Sequence, residues 1–190
     1  MDKIETKYLN ALAKYLLSFS TETQPAYTTE FAPLKKALKY TQEQCPDKKK
    51  LMFLDLGCGT GNVLFTAKEI LGKEHKYVGV DMNNYYAGIA QNIDLDFGIL
   101  NIDILSDQTI ALLKTADIVY AYRPMREFQK MHKMYFNINA YLKEGAYFLC
   151  NDEDIVPPFQ HMKELKTFTG LECCDQSIIR VYKKLAQKLQ

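Results

Sequence analysis

The sequence predicts an α/β protein built on a doubly wound, mostly parallel sheet. Four of the five residues 51–55 are apolar, and they run directly into a glycine-rich loop and then into a helical pattern over 63–71. From there the chain keeps alternating between short apolar strands and helical segments, which is typical of a parallel sheet covered on both faces. Aspartates end three successive predicted strands. Ligands bind at the carboxyl ends of such strands, so a ligand site is predicted at that edge.

The composition is that of a folded domain of ordinary size. The chain has 190 residues, of which 47% are hydrophobic and 25% charged, and a chain of this size buries about 70% of its unfolded surface. The net charge of +1 shows no basic bias, so no nucleic-acid partner is expected. No apolar run approaches the ~18 residues of a membrane helix. The five cysteines form no C-x-x-C pair, so we expect reduced thiols in a cytoplasmic protein.

Two amphipathic helices are predicted ahead of the first strand. Apolar residues recur every three or four positions over 4–19, and a second helical pattern covers 33–45. The polar stretch 21–29, which contains a proline, separates the two. We therefore expect residues 1–47 to form an N-terminal helical cap segment and residues 48–190 to form the main domain.

The glycine loop carries the most specific signal. Gly57, Gly59 and Gly61 stand at alternate positions after a strand and before a helix. Side chains there would block a ligand or forbid positive φ, and the helix N-terminus offers partial positive charge. The dinucleotide-binding fingerprint is G-x-G-x-x-G, whereas here the third glycine comes one residue early. Asp55, two positions ahead of the first glycine, suits a cationic ligand better than a pyrophosphate.

The string Asp-Leu-Gly-Cys-Gly-Thr-Gly-Asn resembles motif I of the class I S-adenosylmethionine (SAM)-dependent methyltransferases. Order and spacing resemble that family over about residues 50–183. The resemblance implies a seven-stranded sheet closed by a terminal antiparallel hairpin, with SAM as the cofactor. In the family the acid pairs with the SAM ammonium, and the glycine loop lies against the methionine part of SAM. The implied contacts from this loop are Asp55, Gly57, Cys58, Gly59, Gly61 and Asn62.

The second predicted strand supplies the next cofactor residue. It covers 77–81 and ends at Asp81, which is placed to bind both ribose hydroxyls of an adenosine. This role is common to SAM and NAD sites, so it supports adenosine without choosing between the two. The resemblance also assigns Met82 to the cofactor site. A short helix over 84–92 and a third strand over 97–102 follow.

The end of the third strand favours SAM. The resemblance places Asp103 near the adenine amino group and the backbone after it, at Ile104, against the ring edge. Each of the three strand-end acids has an alternative role in capping a loop, but three in register with a glycine loop favour a ligand. In the N-terminal segment, Tyr27 and Phe31 either cover the ligand or pack the helices onto the sheet, and Tyr27 is assigned to the cofactor.

The acceptor side is predicted at the end of the fourth strand. A helix over 106–114 is predicted to begin with Ser106 as its N-cap. The strand over 116–122 that follows ends in Tyr-Arg-Pro-Met. This differs from the Asn/Asp-Pro-Pro-Tyr string of amino-directed DNA and protein-glutamine methylases, so a small-molecule or protein acceptor is favoured over DNA. Tyr122 is a candidate to line the methyl-transfer channel and Arg123 to bind a carboxylate or phosphate. The alternative is an aromatic packed under the loop and an arginine paired with a surface acid such as Glu127.

The remaining chain is predicted to complete the fold. A long helix over 126–142 carries core side chains at helical spacing, namely Phe128, Met131, Met134, Tyr135 and Ile138. A fifth strand covers 146–150. The acidic residues 151–154 are expected to form a solvated loop, with a magnesium site as the less favoured alternative, and no metal is assigned. A brief helix over 159–166 and two strands over 168–174 and 177–183 are predicted at the end.

The predicted function is methyl transfer from SAM to an unidentified acceptor, with a small molecule favoured over DNA. A sulfonium is already a good leaving group, so little acid–base help is expected and no general base is assigned; Tyr122 and Arg123 are the candidate catalytic residues. A SAM-binding module without transfer activity is the main alternative. An NAD-linked oxidoreductase is disfavoured by the glycine spacing and by Asp55.

Overall fold

The computed structural model describes residues 3–16, 31–45, 50–152, 159–170 and 178–186. Within these ranges the helices are α1 (Lys3–Leu16), α2 (Phe31–Glu43), α3 (Asn62–Leu71), α4 (Asn84–Ile93), α5 (Asp107–Leu113) and α6 (Phe128–Tyr141). The strands are β1 (Met52–Leu56), β2 (Lys76–Val80), β3 (Gly98–Leu100), β4 (Ile118–Ala121), β5 (Tyr147–Cys150), β6 (Met162–Thr169) and β7 (Ile178–Lys184). None of these helices has the length and hydropathy of a membrane span.

The strands form one sheet in the order β3-β2-β1-β4-β5-β7-β6. The pairs β1–β2, β2–β3, β1–β4 and β4–β5 are parallel. Strand β7 runs antiparallel to both β5 and β6, as a terminal hairpin requires. The prediction of a doubly wound, mostly parallel, seven-stranded sheet is confirmed.

Both faces of the sheet are covered by helices. On one face, strand side chains such as Leu54 and Val119 pack with residues of α5 and α6, including Met134 and Ile138. On the other face, Phe53, Tyr120 and their neighbours pack with α2, α3 and Ala90 of α4. Strands that are buried on both sides need apolar residues at every position, and β1 and β4 are fully buried. Asp55 is therefore a costly exception inside β1.

Several predicted boundaries differ from the structure. The third strand spans three residues rather than 97–102, because β3 lies at the sheet edge and pairs only with β2. The fourth strand lacks the predicted positions 116, 117 and 122. Helix α6 is two residues shorter at its start than predicted, and Phe128 there is 65% exposed. The prediction of Phe128 as a core residue is wrong, because its ring lies against His132 one turn further along α6, with 4.3 Å between the ring centroids, and not in the core.

The predicted helix over 159–166 is wrong. Residues of this segment belong to β6, which pairs with β7 from Met162 to Thr169. Phe159, Met162 and Leu165 recur every three positions, as on one face of a helix. The backbone groups of β6 are instead satisfied by a partner strand that local periodicity does not reveal. Of the predicted strand over 168–174, residues 168 and 169 end β6, and residues 171–174 lie outside the described residues.

The N-terminal helices pack onto the main sheet. Helix α2 begins at Phe31, two residues before the predicted start, and buries Leu34, Ala37 and Leu38 in the core. Helix α1 lies against α3 and α4, where Lys7 forms an ion pair of 2.5 Å with Glu69. The predicted break over 21–29 lies outside the described residues. The division of the chain at residue 47 stays a prediction.

Candidate functional site at the carboxyl ends of the strands

The strand order places a crevice between β1 and β4. Connections run from β1 outward to β2 and β3, and the chain then crosses back to β4 on the other side of β1. In open α/β sheets, ligands bind outside the carboxyl ends of the strands at such a switch point. The loops after β1 and β4 lie at this edge, so the glycine loop and the segment from Tyr122 to Met125 meet there.

The glycine loop needs its glycines. Gly57, Gly59 and Gly61 have φ values of 82°, 51° and 81°, in the left-handed region that side chains disfavour. A Cβ on Gly57 would lie 2.4 Å from the Cβ of Pro124. The glycine loop and the loop after β4 are therefore in close contact at Gly57. No side chain caps α3 at Gly61, so the first amides of this helix, beginning at Asn62, face the loop.

Asp81 fixes the glycine loop from the end of β2. Its Oδ2 accepts a hydrogen bond of 2.8 Å from the Gly59 amide, and its Oδ1 accepts one of 2.8 Å from the Asn83 amide. The Asn83 side chain in turn caps α4. A carboxylate oxygen has more than one acceptor site, so these bonds leave the carboxylate able to accept from ribose hydroxyls. The neighbouring Met82 is 65% exposed.

Asp55 lies beneath the loop as a buried and incompletely satisfied acid. The residue is 1% exposed, and its Oδ2 has no hydrogen-bond partner among the described residues. Burial, and secondly the charge of Asp81, raises the pKa of Asp55 well above its ordinary value. A buried acid of this kind is stabilised by a proton or by a nearby cation.

Cys58 contributes packing rather than chemistry. Its side chain is buried, and a Cβ on Gly79 of β2 would lie 2.7 Å from its Sγ. Burial, followed by the charges of Asp55 and Asp81, raises the pKa of this thiol well above its ordinary value. The sulfur is therefore a neutral thiol and not a nucleophile.

The end of β3 has a different character. Asp103 is exposed, and its Oδ1 accepts a hydrogen bond of 2.8 Å from the Leu105 amide, which forms a side-chain turn. The Ile104 side chain is 6% exposed and packs in the core with α5 and α6. The Ile104 side chain is therefore taken up by core packing, and the contact of its backbone with the adenine ring stays a prediction. Ser106 caps α5 through the Thr109 amide, as predicted.

An aromatic residue from α1 reaches the glycine loop. The Tyr8 hydroxyl shares a hydrogen bond of 2.6 Å with Thr60 Oγ1, and its ring packs 6.1 Å from Phe31 and 5.9 Å from Phe65. Burial raises the pKa of Tyr8 to about 12, so the hydroxyl stays protonated. Tyr27, which was assigned to the cofactor, lies outside the described residues. The contact between Tyr8 and Thr60 has no local sequence signal, because it joins residues 52 positions apart.

The end of β4 presents Tyr122 and Arg123 in different ways. Tyr122 is half-buried and packs on the face covered by α2 and α3. Arg123 adopts φ 36° and pairs through its Nε with Asp152 Oδ1 at 3.2 Å. Glu127, named as its alternative partner, instead pairs with Lys130 at 2.7 Å. The packing of Tyr122 and the pairing of Arg123 with an acid therefore follow the structural alternative, but the acid is the buried Asp152 at the end of β5 and not Glu127.

Asp152 organises a buried cluster at the end of β5. Its side chain is 1% exposed, and Tyr135 donates a hydrogen bond of 3.0 Å to its Oδ2. Arg180 of β7 donates one of 2.7 Å to its backbone oxygen. Burial raises the pKa of Cys150, next in this cluster, to about 12. The expectation of a solvated loop over 151–154 is wrong for Asn151 and Asp152, which are both 1% exposed, and residues 153 and 154 lie outside the described residues.

Sequence patterns missed this cluster because its members come from distant parts of the chain. Asp152 follows a buried strand, as the three predicted acids do, and that position was its one visible signal. Within the described ranges, no group of three or more histidine, cysteine, aspartate or glutamate side chains is arranged to hold a metal ion.

Comparisons with known proteins agree with this architecture. The family described as "Methyltransferase domain" matches residues 47–189. None of the curated proteins matches the sequence.

Solved structures are similar across nearly the whole chain. A Listeria monocytogenes protein assigned to the class I SAM-dependent methyltransferases has a TM-score of 0.72 at 15% identity, covering 98% of this chain and 70% of its own. An O-methyltransferase from Bacillus cereus in complex with SAH (S-adenosylhomocysteine) has a TM-score of 0.66 at 11% identity, covering 97% and 91%. A SAM-dependent O-methyltransferase from Thermotoga maritima has 0.57 at 13%, covering 94% and 73%. At these identities the likeness concerns the fold.

Proposed function

The chain belongs to the methyltransferase-domain family, and from that premise we propose where it binds SAM and which class of acceptor it methylates. Membership confirms the resemblance carried by the glycine loop, and the protein is a SAM-dependent methyltransferase. We assign the cofactor to the carboxyl ends of β1, β2 and β3, and the acceptor to the loop after β4. The acceptor is a small molecule.

The close approach of Gly57 to Pro124 carries this proposal. A single Cβ on Gly57 would overlap Pro124, with 2.4 Å between the two carbons, so the cofactor loop and the acceptor loop share a boundary. Methyl transfer requires the acceptor atom within about 3–3.5 Å of the methyl carbon. Two loops that touch at the switch point are placed to hold the two reactants at that separation.

The acids at the strand ends have separate roles in this assignment. The raised pKa and the unpartnered Oδ2 of Asp55 match a cationic ligand group, and SAM carries both an ammonium and a sulfonium. Asp81 accepts the ribose hydroxyls while it holds Gly59. The exposed Asp103, with the backbone of Ile104, meets the adenine. Gly57, Gly59, Gly61 and the N-terminus of α3 lie against the methionine part.

The chemistry is an in-line displacement. SAM bound there would supply an electrophilic methyl group, and the lone pair of the acceptor atom would form the new bond to carbon as the carbon–sulfur electron pair passes to sulfur, giving S-adenosylhomocysteine. A proton carried by the acceptor atom leaves to solvent. The protein aligns the reactants and excludes water, with Tyr122 and Arg123 facing the acceptor side. Cys58 takes no part, since its thiol is buried and neutral.

Two observations favour a small-molecule acceptor. The string from Tyr122 to Met125 lacks the Asn/Asp-Pro-Pro-Tyr pattern of amino-directed DNA methylases, and the net charge of +1 gives no attraction for a phosphate backbone. The bound acceptor then occupies the crevice next to Pro124. A cytoplasmic location stays a prediction, with which the free thiols of Cys45, Cys58 and Cys150 agree.

Calorimetric titration with SAM, S-adenosylhomocysteine and NADH tests the cofactor assignment. We expect SAM and S-adenosylhomocysteine to bind and NADH not to bind. Asp81→Ala removes the ribose acceptor and should weaken SAM binding by about 1–3 kcal/mol. Asp96→Ala is the control, because this exposed acid precedes β3 and so lies at the amino ends of the parallel strands, away from the proposed site at their carboxyl ends. Equal SAM affinity in the wild type and Asp81→Ala would show that the ribose lies elsewhere.

A further inference from the structure

We propose that Asp55 holds a proton in the free protein and releases it to solvent when the ammonium group of the cofactor binds beside it. The inference rests on the proposed function, because that function places the methionine part of SAM at the glycine loop. Its new content is a coupling between cofactor binding and proton release, through which pH controls the affinity for the cofactor.

Asp55 is an acid within an apolar strand. β1 is buried along its full length, and Asp55 is 1% exposed. Successive side chains of a strand point to opposite faces, so Asp55 shares the face of Phe53, which α2 and α3 cover. The strand ends one residue later, at Leu56, and the glycine loop follows directly. The carboxyl group therefore lies in apolar surroundings next to the proposed cofactor loop.

The carboxyl group of Asp55 lacks the partners that stabilise a charge. Its buried Oδ2 has no hydrogen-bond partner among the described residues. The helix that packs on β1 is α3, and its one cation, Lys68, instead pairs with Asp94 at 2.7 Å and with Asp96 at 2.8 Å. Glu69, the acid of this helix, pairs with a lysine of α1. A buried carboxylate without a cation or a hydrogen bond is disfavoured relative to the neutral acid.

The titratable groups that face Asp55 are an acid, a thiol and two phenols. Tyr120 of β4 lies in register with Asp55, and Tyr122 lies on the same face at the end of that strand. The end of β2 contributes Asp81, and the glycine loop contributes Cys58. Burial, and secondly the like charge of Asp81, raises the pKa of Asp55 well above its ordinary value. Burial also keeps the Cys58 thiol neutral, by raising its pKa.

The two neighbouring acids differ in how their charges are stabilised. Asp81 accepts hydrogen bonds of 2.8 Å from the Gly59 and Asn83 amides, and hydrogen bonds of this kind favour a carboxylate. The Oδ2 of Asp55 accepts none. Surroundings that differ in this way separate the titration of two acids. In the free protein Asp81 therefore carries the negative charge and Asp55 the proton.

An ammonium group beside Asp55 reverses this balance. A cation within about 4–6 Å favours the ionised form of a carboxyl group, and an N–H donor gives Oδ2 the hydrogen bond that it lacks. Asp55 then loses its proton to solvent, while the ammonium keeps its own protons. The complex holds one proton fewer than the separate protein and cofactor, so a lower pH weakens binding.

Calorimetric titration between pH 5 and 6.5 counts the released protons. Each ligand is titrated in two buffers of different ionisation enthalpy, since the difference in heat is proportional to the number of protons that the buffer takes up. In this range the amino group of the ligand is itself protonated, because an α-amino group titrates at about 7.7–8.0. SAM and S-adenosylhomocysteine share the ammonium. 5′-Methylthioadenosine keeps the adenosine and the thioether but has no amino acid part.

Two variants complete the test. Asp55→Asn removes the titrating group and keeps nearly the same shape. Asp96→Asn is the matched control, because it makes the same change at an exposed acid ahead of β3. The comparison with 5′-methylthioadenosine uses the wild type alone and so does not depend on the folding of either variant.

We expect the wild type and Asp96→Asn to release about one proton for each bound SAM or S-adenosylhomocysteine at the lower end of this range. Their affinity should then rise by up to about tenfold per pH unit. 5′-Methylthioadenosine should bind without proton release, and Asp55→Asn should bind each ligand without it. Absence of proton release in the wild type, or equal release by Asp55→Asn, overturns the proposal. Release with SAM but not with S-adenosylhomocysteine overturns the assignment to the ammonium.

A failure of the proposed function gives a different result. A wild-type protein that binds neither SAM nor S-adenosylhomocysteine overturns the cofactor site and the coupling together. Binding of both ligands without proton release leaves the cofactor site in place and overturns the coupling alone.

Discussion

The cofactor half and the acceptor half of the site are formed by different kinds of groups. The cofactor half, at the ends of β1, β2 and β3, is made of backbone amides, three left-handed glycines and strand-end acids, of which Asp81 accepts hydrogen bonds from the Gly59 and Asn83 amides. The acceptor half, at the ends of β4 and β5, depends on side chains from three distant segments that converge on Asp152. Backbone geometry is encoded locally, whereas side-chain convergence is a property of the finished fold. We therefore expect the cofactor half to be sensitive to glycine replacement and the acceptor half to tolerate changes without loss of SAM binding.

Replacement of Gly57 should produce the largest effect. Gly57→Ala places a Cβ 2.4 Å from Pro124 at φ 82°. Left-handed strain costs about 1–2 kcal/mol, and overpacking adds about 1–3 kcal/mol. We expect a loss of about 3 kcal/mol in the free energy of unfolding, measured by urea denaturation, and no detectable SAM binding by calorimetry.

Gly145→Ala separates strain from overlap. Gly145 has φ 73°, but a Cβ there would meet nothing within 4 Å. This control should lose only the cost of the left-handed conformation and keep full SAM affinity. If both variants lose the same stability, the contact between Gly57 and Pro124 does not constrain the two loops.

Removal of Asp152 should test whether the halves are independent. Asp152→Ala leaves the buried Tyr135 hydroxyl without its acceptor and Arg123 without its ion pair. We expect a loss of about 2–3 kcal/mol in the free energy of unfolding, with SAM affinity unchanged within about twofold at a temperature where the protein stays folded. Asp107→Ala, at an exposed position on α5, is the surface control. A parallel fall in SAM affinity would contradict the separation of the two halves.

The sequence predicted the cofactor half better than the acceptor half for the same physical reason. Positive φ at Gly57, the cap at Ser106 and the acid after β2 follow from local rules about glycine, capping and strand ends. The partner of Arg123 does not, because Asp152 lies 29 positions away and its burial depends on the packing of α6.

Long-range pairing also explains the errors in the fold. Residues 159–166 have a weak local pattern, and β7 decides that they form part of a strand. The exposure of Phe128 likewise depends on how α6 packs in the finished fold, which helical spacing in the sequence does not reveal. The interior strands were predicted more closely, because burial on both faces leaves a run of apolar residues in the sequence.

Asp55→Asn should reveal the conflict between stability and binding in the cofactor half. Burial raises the pKa of Asp55 from an ordinary value of 3.8, so the folded protein binds more protons than the unfolded chain above that pH. The stability that neutral Asp55 contributes is fully present below pH 3.8 and is lost as the pH rises through the raised pKa. The amide cannot ionise, so the variant should become the more stable protein as the pH rises.

The size of this advantage is bounded by linkage. The difference in the free energy of unfolding between Asp55→Asn and the wild type should grow by up to about 1.4 kcal/mol per pH unit between pH 3.8 and the raised pKa of Asp55, and then level off. Urea denaturation between pH 5 and 8 measures this difference. The same variant should bind SAM about 10–100-fold more weakly, since it has no charge for the ammonium. A variant that is no more stable than the wild type at pH 8 would show that the folded protein does not disfavour the ionised form of Asp55.

The smallest effect is expected at the contact between α1 and the glycine loop, and it decides to which half α1 belongs. Tyr8→Phe keeps the packing against Phe31 and Phe65 but removes the hydrogen bond to Thr60. A single such bond contributes about 0.5–1.5 kcal/mol, so SAM affinity should fall about threefold if Thr60 must be held for the loop to bind. Tyr141→Phe, on α6 away from the loop, should leave SAM affinity unchanged. If Tyr8→Phe lowers only the free energy of unfolding, α1 supports the fold and the cofactor half consists of the strand ends alone.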